Sequence, residues 1–258
     1  MTSAFSNRYS AAYDLLNEGK PYHDEVVFIQ NIFSQTAGNS RELTSVLDLG
    51  CGSGKHLAEF KSTAKKVGVD RSESMLAEAV NRKIPNSNFI VNDICTVNVE
   101  MRFDLVYSLF HVLSYQITEQ DLILFFRSIA QHLEKDGVAV VDFWHRTPWD
   151  RDPPITRITR RKSKSAEVIR ISEPKCNLLI GVVEIHMDLF VKSEGDEFTH
   201  FTEDHTMRSY TLGELSLAAQ LAGLEISASG PWMQQNQPLL SSDWYGWVAL
   251  THKQSIKK

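Results

Sequence analysis

The sequence predicts an α/β fold whose centre is a doubly wound parallel sheet. Two observations carry this prediction. Between residues 41 and 150, short apolar runs alternate with longer segments of helical periodicity. The first apolar run ends in closely spaced glycines, and an acidic residue stands at the end of each of the next two runs. Strands that alternate with helices pair in parallel through right-handed crossovers, so these runs belong to one sheet with helices on both faces.

The individual elements follow from apolar spacing and from the residues that interrupt it. Residues 1–40 show helical spacing of apolar side chains, and Gly19-Lys20-Pro21 divides them into two helices. Strands are then predicted at residues 46–49, 66–69, 88–91, 103–108 and 138–143. Helices are predicted at residues 56–65, 72–82 and 118–133, and a turn is predicted at Asp136-Gly137.

The pattern changes after Trp144, where charged and β-branched residues alternate and helix signals become rare. This alternation predicts an inserted antiparallel sheet with strands at residues 168–171, 178–190 and 199–210. A helix at 212–222, capped by Thr211, and a last strand at 244–251 return the chain to the first sheet. We therefore expect four parts: an N-terminal helical lid (1–40), a cofactor-binding core (41–150), a substrate-side inserted sheet (151–210) and a return to the core (211–258).

Composition and charge restrict the class of protein. The chain has 258 residues, 42% of them hydrophobic, and its 27 basic and 32 acidic residues give a net charge of −5. An acidic chain argues against nucleic-acid binding, which needs a basic field around phosphate. Three scattered cysteines without a C-x-x-C pair suggest neither a zinc site nor a redox pair. We expect a cytoplasmic protein with no membrane partner, because the N-terminus lacks an apolar signal core and no apolar run is long enough to span a bilayer.

The segment Asp48-Leu49-Gly50-Cys51-Gly52-Ser53-Gly54 directly follows the first predicted strand. Alternating glycines allow a sharp turn and a close approach of the backbone to a ligand. The spacing is G-x-G-x-G, whereas dinucleotide sites need G-x-G-x-x-G. A carboxylate two positions before the first glycine is unfavourable beside a pyrophosphate but suits a cationic amino-acid ligand. By itself, this loop could also be an ordinary tight turn.

Acidic residues at the next two strand ends extend this pattern. Asp70 ends the second strand, where a carboxylate can accept both hydroxyls of a ribose. Asp93 follows the third strand and can accept the exocyclic amine of adenine, while Ile94 packs on the ring. Alone, Asp70 could cap the helix that starts at Ser72, and Asp93 could be a turn residue. Together, at the ends of three successive parallel strands, these residues predict one cofactor crevice.

At this point the sequence resembles the class I S-adenosylmethionine-dependent methyltransferases. The resemblance is carried by residues 46–54, 68–72, 92–94, 103–106 and 133–138. It implies a mostly parallel seven-stranded sheet that ends in an antiparallel hairpin, with S-adenosyl-L-methionine in the crevice and S-adenosyl-L-homocysteine as product. The residues then expected to bind the cofactor are Tyr22, Asp48, Gly50, Cys51, Gly52, Gly54, His56, Asp70, Arg71, Met75, Asn92, Asp93, Ile94 and Ser108.

The regions outside this core resemble the sugar N-methyltransferases, which act on the amine of nucleotide-linked aminodeoxy sugars. Residues 13–22 are similar to their N-terminal lid, residues 108–115 to their active-site stretch, and residues 200–211 to the last strands of their inserted sheet. The resemblance implies N-methylation of such a sugar by in-line displacement. The polar segment 143–149 and the basic run 157–164 depart from that pattern where substrate should enter, so the exact acceptor stays open.

Three residues are candidates for the reaction itself: Tyr13, His111 and Tyr115. Tyr13 could close over the sulfonium and present its ring or hydroxyl, because an aromatic face attracts a cation. It could instead pack the lid helix onto the sheet. His111 and Tyr115 follow the fourth strand at the mouth of the crevice, where a neutral histidine can accept a proton. The alternative for His111 is a residue at the start of a helix, bonded to backbone.

Four residues are expected to contact the acceptor: His145, Trp149, Arg160 and His205. Trp149 could simply pack at the rim, and the basic run around Arg160 could be a solvated edge strand that its charges protect from aggregation. His200 and Asp204 share one face of a strand, but no further ligand pair supports a metal there.

Other functions remain open from the sequence alone. One is methylation of a different small amine or hydroxyl, and another is a non-catalytic cofactor-binding partner. A homodimer is also compatible with the aromatic content of the inserted sheet.

Overall fold

The computed structural model of the protein describes residues 7–38, 40–163, 166–192 and 197–253, with side chains from residue 12 onward. The strands are β1 (Ser45–Leu49), β2 (Lys65–Asp70), β3 (Ser87–Val91), β4 (Phe103–Ser108), β5 (Leu133–Trp144), β6 (Arg157–Lys162), β7 (Glu167–Asn177), β8 (Val182–Lys192), β9 (Thr199–Arg208), β10 (Leu224–Pro231) and β11 (Tyr245–His252). The helices are α1 (Asn7–Leu16), α2 (Tyr22–Ala37), α3 (Lys55–Glu59), α4 (Glu73–Asn81), α5 (Glu119–His132) and α6 (Leu212–Leu221), with short 3₁₀ turns at Val112–Tyr115 and Thr147–Asp150.

The chain divides into two compact units. The parallel-sheet unit comprises residues 22–148 and 209 onward, and the β-insert unit comprises residues up to 21 and residues 149–208. The first predicted helical region is thus shared, because α1 belongs to the β-insert unit and α2 to the parallel-sheet unit. No described helix has the length and apolar character that a bilayer span requires.

The parallel-sheet unit contains seven strands in the order β10-β11-β5-β4-β1-β2-β3. The five strands from β5 to β3 are parallel, whereas β11 pairs antiparallel with both β5 and β10. This arrangement confirms the predicted seven-stranded sheet with a terminal antiparallel hairpin. Because β1, β2 and β4 are parallel, their carboxyl ends lie at one edge of the sheet, and the reversal of strand order between β4 and β1 creates the crevice where ligands of open α/β sheets bind.

Alternating side chains of the central strands supply two separate cores. In β1, Leu47 and Leu49 face one core with α5 and α6, whereas Val46 faces the other core with α2, α3 and α4. Because both faces of a parallel sheet are covered, its central strands are mostly apolar and do not alternate regularly with polar residues. Side-chain caps fix the first turns of α5 and α6: Thr118 accepts from the Asp121 N–H, and Thr211 forms a capping box with Glu214.

Two predicted boundaries in the parallel-sheet unit were wrong. Helix α3 ends at Glu59, because Phe60 turns to an extended conformation and stacks on the buried ring of Tyr107 with a centroid distance of 5.5 Å. The predicted turn at Asp136-Gly137 lies within β5. Phe103 pairs with Leu133 but Leu105 pairs with Val138, so the extra residues of β5 are absorbed in an irregularity of the ladder.

The β-insert unit is a four-stranded antiparallel sheet, β6-β7-β8-β9, with α1 packed on one face. The prediction had three strands and placed residues 178–181 in one of them, but these residues form the turn between β7 and β8. The additional strand, β6, contains most of the basic run 157–164. It is an edge strand of the sheet, as one of the two interpretations of that run predicted. Its residues are almost all exposed. Lys164, at the end of that run, lies outside the described residues.

His132, at the end of α5, is a buried histidine whose two ring nitrogens both have backbone partners. Nδ1 donates to the Ser128 carbonyl at 2.7 Å, and Nε2 accepts from the Val99 N–H at 2.9 Å. An accepting Nε2 requires the neutral ring. Burial accordingly lowers the pKa of His132.

We expect His132 to make folding stability fall as the pH drops. The unfolded chain takes up a proton at His132 near a pKa of about 6.5, whereas the folded protein does so only at lower pH. The contribution of His132 to the free energy of unfolding is therefore complete above the pKa of the unfolded chain and is lost progressively as the pH falls below it. Urea unfolding of the wild type and of His132→Gln at pH 7.5 and 5.5 measures it: the stability advantage of the wild type should shrink at pH 5.5. An advantage that is equal at both pH values would contradict the assignment.

Candidate active site

The glycine loop leaves β1 at the carboxyl edge of the sheet and is shaped by left-handed backbone. Gly50, Gly52 and Gly54 have φ values of 89°, 51° and 75°, a region that favours glycine. The Val69 carbonyl accepts from the Gly50 and Cys51 N–H groups at 2.8 and 3.0 Å, which ties the loop to the end of β2. A Cβ on Gly50 would lie 2.6 Å from both methyl groups of Val112. The loop is thus closely packed against the segment that follows β4.

Asp70 joins the glycine loop to the start of α4. One carboxylate oxygen accepts from the Gly52 N–H at 2.8 Å and the other accepts from the Ser72 N–H at 2.9 Å. Ser72 itself caps α4 by accepting from the Met75 N–H. The cap of α4 is therefore Ser72, and Asp70 supports it through the Ser72 N–H, while the ligand role of Asp70 stays a prediction. Burial raises the pKa of Asp70, although the hydrogen bonds from Ser72 and Gly52 oppose that rise.

Asp48 is buried beneath the same loop, beside the phenol of Tyr107. The two residues are register partners on β1 and β4, and both are almost fully enclosed. Burial and the neighbouring Asp48 charge raise the pKa of Tyr107 well above its usual value. The thiol of Cys51 is affected similarly, since burial and then the charges of Asp48 and Asp70 raise its pKa.

A second buried carboxylate, Glu25 on α2, lies near the other end of the loop. Its Oε2 is 2.6 Å from Nε2 of His56, and both side chains are less than a tenth exposed. The Tyr22 ring meets His56 edge-on at 4.9 Å, and Lys55 lies over that ring at 5.2 Å. Tyr22 and His56 are thus brought together next to Gly54, and their role in binding the cofactor stays a prediction. A buried carboxylate–imidazole pair of this kind fixes the orientation of the ring.

The end of β3 supplies a polar turn over an apolar floor. Asp93 N–H donates to Asn92 Oδ1 at 2.8 Å, and Asp93 Oδ1 accepts from the Cys95 N–H at 2.8 Å. Both carboxylate and amide are exposed, whereas Ile94 is buried. Burial raises the pKa of the Cys95 thiol to about 12, so that this neighbour stays neutral.

The segment after β4 begins with Ser108, whose hydroxyl donates to the Leu49 carbonyl at 2.7 Å and links the ends of β4 and β1. His111 follows, and its ring stacks on Tyr245 with centroids 4.9 Å apart. Tyr115 ends the next 3₁₀ turn, and the guanidinium of Arg71 lies 5.6 Å from the centre of its ring. Met75 reaches towards Gly52 from α4. The sheet edge thereby gathers predicted residues from β1, β2 and β4.

His145, at the end of β5, has hydrogen-bond partners at both of its ring nitrogens. Nδ1 donates to the Asp243 carbonyl at 2.9 Å, and Nε2 lies 2.8 Å from the Thr147 hydroxyl. The side chain is buried and joins β5 to the loop before β11. These contacts give His145 a structural role, and substrate binding by it stays a prediction.

The remaining predicted residues belong to the β-insert unit. Tyr13 is half-buried in the apolar cluster between α1 and the sheet, and Trp149 is fully buried. Arg160 is exposed on the edge strand β6. His205 is buried, on the face of β9 opposite to His200 and Asp204. Their predicted roles in catalysis or acceptor binding stay predictions.

The pair His200 and Asp204 lies on one face of β9, as their spacing predicted. Each contacts a residue of β8: His200 is 2.6 Å from Asp188, and Asp204 is 2.7 Å from His186. The Asp204 hydrogen bond raises the pKa of His186. Across the described ranges, no group of three or more potential ligands is arranged to hold a metal ion. These exposed pairs act as cross-strand contacts of the sheet.

Comparison with known proteins finds a methyltransferase domain in this chain and similar enzymes that match most of its length. Residues 46–137 match the methyltransferase domain family. The chain is 28% identical over 222 residues to a dTDP-3-amino-3,4,6-trideoxy-alpha-D-glucopyranose N,N-dimethyltransferase from Streptomyces venezuelae, covering 84% of this chain and 90% of the relative. This chain is an S-adenosylmethionine-dependent methyltransferase.

Two further comparisons extend the likeness of this methyltransferase beyond its central domain. It is 26% identical over 225 residues to a dTDP-3-amino-3,6-dideoxy-alpha-D-glucopyranose N,N-dimethyltransferase from Streptomyces fradiae, with 86% of each chain covered. The structure of Streptomyces venezuelae DesVI superposes with a TM-score of 0.79 at 22% identity, over 97% of this chain and 100% of the other. The structural likeness establishes a shared fold over nearly the whole methyltransferase.

Sequence reasoning missed two carboxylates of the candidate site. Asp142 on β5 accepts from the N–H groups of Phe110 and His111, and Glu25 pairs with His56. Asp142 could have been noticed, because a carboxylate within the apolar run of a central strand needs buried partners. Glu25 carries no such signal, since acidic residues are common in the first turn of a helix.

Proposed function

We propose that this methyltransferase transfers a methyl group to the amine of a nucleotide-linked aminodeoxy sugar. The observation that carries the proposal is the extent of the match to the two sugar N,N-dimethyltransferases. It covers 84–86% of this chain and therefore extends far outside the methyltransferase domain at residues 46–137. The methyltransferase domain is the part expected to bind the cofactor. Similarity outside that domain therefore supports a similar acceptor. A small-molecule acceptor also suits a chain of net charge −5 better than a nucleic acid.

The residues at the sheet edge fit S-adenosylmethionine by the chemistry of their donors and acceptors. The two carboxylate oxygens of Asp70 are the type of acceptor that two ribose hydroxyls require, and Asp93 with Asn92 suits the adenine amine above the apolar Ile94. The buried carboxylates Asp48 and Glu25 favour the cationic methionine end over an anionic pyrophosphate. The Gly52 backbone provides a surface without side chains on which a ligand can lie closely.

When bound, S-adenosylmethionine supplies a methyl group on a sulfonium, whose carbon the acceptor nitrogen attacks in line. The chain then has to hold the acceptor in that line and keep its amine neutral. Orientation alone can contribute about 7–11 kcal/mol to lowering the barrier. His111 is partly enclosed beside the crevice and can accept the amine proton. Arg71 and Tyr115, which contact each other, can hold the neighbouring protein surface in place.

Calorimetric titration with S-adenosylhomocysteine, with and without thymidine diphosphate, tests the proposal. Binding of both ligands, followed by mass increments of one or two methyl groups on a dTDP-amino sugar, is the expected result. Binding of S-adenosylhomocysteine alone, with no methylation of any dTDP-amino sugar in the panel, would exclude this acceptor class. A free small amine or hydroxyl that is methylated instead would identify the alternative.

Tyr13 offers a separate prediction about the acceptor side. We expect Tyr13→Phe to lower kcat by about 10-fold, the usual effect of one hydrogen bond, while S-adenosylhomocysteine affinity changes less than twofold. Steady-state kinetics and calorimetry measure the two quantities. Tyr13→Leu, which also removes the ring, should lower kcat further if the aromatic face contributes. A Tyr13→Phe variant with wild-type turnover would leave the hydroxyl without a catalytic role.

A further inference from the structure

The segment after β4 is held in a rare backbone conformation by one buried carboxylate. Phe110 and His111 have φ values of 66° and 63°, and two consecutive L-residues seldom adopt this left-handed region. Asp142, on the neighbouring strand β5, is only 2% exposed. Its Oδ2 accepts from the Phe110 N–H at 2.9 Å, and its Oδ1 accepts from the His111 N–H at 2.8 Å. The conformation of the segment therefore depends on this carboxylate.

The same carboxylate also faces the imidazole of His111. Asp142 Oδ2 lies 3.5 Å from Nδ1, and Nδ1 is itself buried. The side chain of His111 as a whole is 18% exposed, so its accessible surface belongs to other atoms of the residue. The ring is further fixed by stacking on Tyr245 at 4.9 Å with an interplanar angle of 23°, and by Trp144 at 5.6 Å.

Tyr245 and Trp144 hold this position because they are register partners on β11 and β5. The titratable groups that contact the imidazole include the Asp142 carboxylate from β5 and the Tyr245 phenol from β11. Trp144 adds an uncharged ring. The Asp142 side chain is an acidic partner of the imidazole. Its separation of 3.5 Å from Nδ1 is longer than a formed hydrogen bond, and a small approach, of the kind that catalytic hydrogen bonds undergo when ligands bind, would let Nδ1 donate to it.

The position of His111 places it at the cofactor crevice. It directly precedes Val112, whose methyl groups enclose Gly50 of the glycine loop. Strand β4 pairs with β1, and Ser108 ties the two strand ends together. A proton acceptor at His111 is therefore anchored to the same loop that is expected to hold the cofactor.

We propose that Asp142 is a positioning residue, which keeps the hydrogen of His111 on Nδ1 so that Nε2 takes a proton from the acceptor amine. This proposal rests on the proposed function for the identity of the acceptor. In the step, a proton leaves the ammonium nitrogen of the acceptor and binds Nε2, while the N–H electron pair remains on nitrogen. The imidazolium that forms has its charge opposite Asp142 and later returns the proton to water.

The first test needs no acceptor. Nitrogen-15 spectra of the wild-type protein identify the tautomer of His111, and a pH titration followed by the same signals gives its pKa. We expect hydrogen on Nδ1 in the neutral ring, and a pKa lower by about one pH unit in Asp142→Asn, because the variant removes a nearby opposite charge. Asp136→Asn, which neutralises an exposed carboxylate on the same strand, is the matched control and should leave His111 unchanged.

The second test is steady-state kinetics with an acceptor that the enzyme is found to methylate. Asp142→Asn should lower kcat by about 10- to 100-fold with the KM for S-adenosylmethionine nearly unchanged, and move the acidic limb of the kcat/KM profile to lower pH. His111→Gln should abolish that limb, and adding Asp142→Asn to it should cause little further loss. A merely structural Asp142 would reduce activity while the acidic limb keeps its position.

Three results would overturn the proposal: hydrogen on Nε2 of neutral His111, a His111 pKa that is the same in Asp142→Asn, or a His111→Gln variant with wild-type kcat. If Asp142→Asn does not fold, the wild-type tautomer alone decides. Failure of the proposed function has a different signature, since an inactive amino-sugar panel would leave the spectroscopic result for Asp142 intact.

Discussion

Asp70→Ala should weaken S-adenosylhomocysteine binding by at least about 100-fold. The variant removes the acceptor expected for the ribose hydroxyls, and hydrogen bonds to a charged group contribute about 1.5–3 kcal/mol each. It also removes the acceptor of the Gly52 and Ser72 N–H groups, which shape the glycine loop and the start of α4. The loss of the hydrogen bonds to both ribose hydroxyls corresponds to two or more factors of ten in affinity. Calorimetric titration of the folded variant measures the effect.

The controls for Asp70→Ala separate a lost ligand contact from a damaged fold. Glu78→Ala removes an exposed carboxylate from the neighbouring helix α4 and should bind as the wild type does. Asp70→Asn keeps the shape but presents an amide to one of the two N–H donors, so it should also bind weakly. Unchanged affinity in Asp70→Ala would show that the ribose binds elsewhere.

Gly50→Ala should combine a large loss of stability with loss of cofactor binding. The new Cβ would overlap both methyl groups of Val112 at 2.6 Å, and the φ of 89° disfavours any L-residue. Overpacking of this kind costs about 1–3 kcal/mol, and the left-handed backbone adds about 1–2 kcal/mol. Val112 cannot swing away easily, because its β-branched side chain has restricted rotamers. Urea unfolding and calorimetry measure the two effects.

Val112→Ala provides the matched background for Gly50→Ala, because it empties the space that the new methyl would enter. In the double variant we expect to recover the stability that Gly50→Ala loses through steric overlap with Val112. The loss that comes from the left-handed backbone at residue 50 should remain. Equal destabilisation by Gly50→Ala in both backgrounds would mean that the contact with Val112 does not limit substitution at Gly50. The comparison also tests whether the glycine loop and the His111 segment are mechanically coupled.

The cofactor edge of the sheet could be predicted from the sequence because its features are local. The alternation of strands and helices determines the parallel sheet, and three glycines at alternate positions require left-handed backbone directly after β1. Asp70 and Asp93 stand at strand ends, so their meeting at one edge follows from the topology. Even the shared face of His200 and Asp204 follows from the two-residue period of a strand.

The partners of the site residues were decided only by the tertiary structure. His56 meets Glu25 and His111 meets Asp142 across 31 residues each, and no local period links such positions. His145 illustrates the converse, because a rim histidine in the sequence proves to be enclosed by Asp243 and Thr147. Residue type and spacing determine where a side chain lies along a strand. Which of its polar atoms are already satisfied depends on packing between distant segments, because a buried polar group must find its partner wherever the fold brings one.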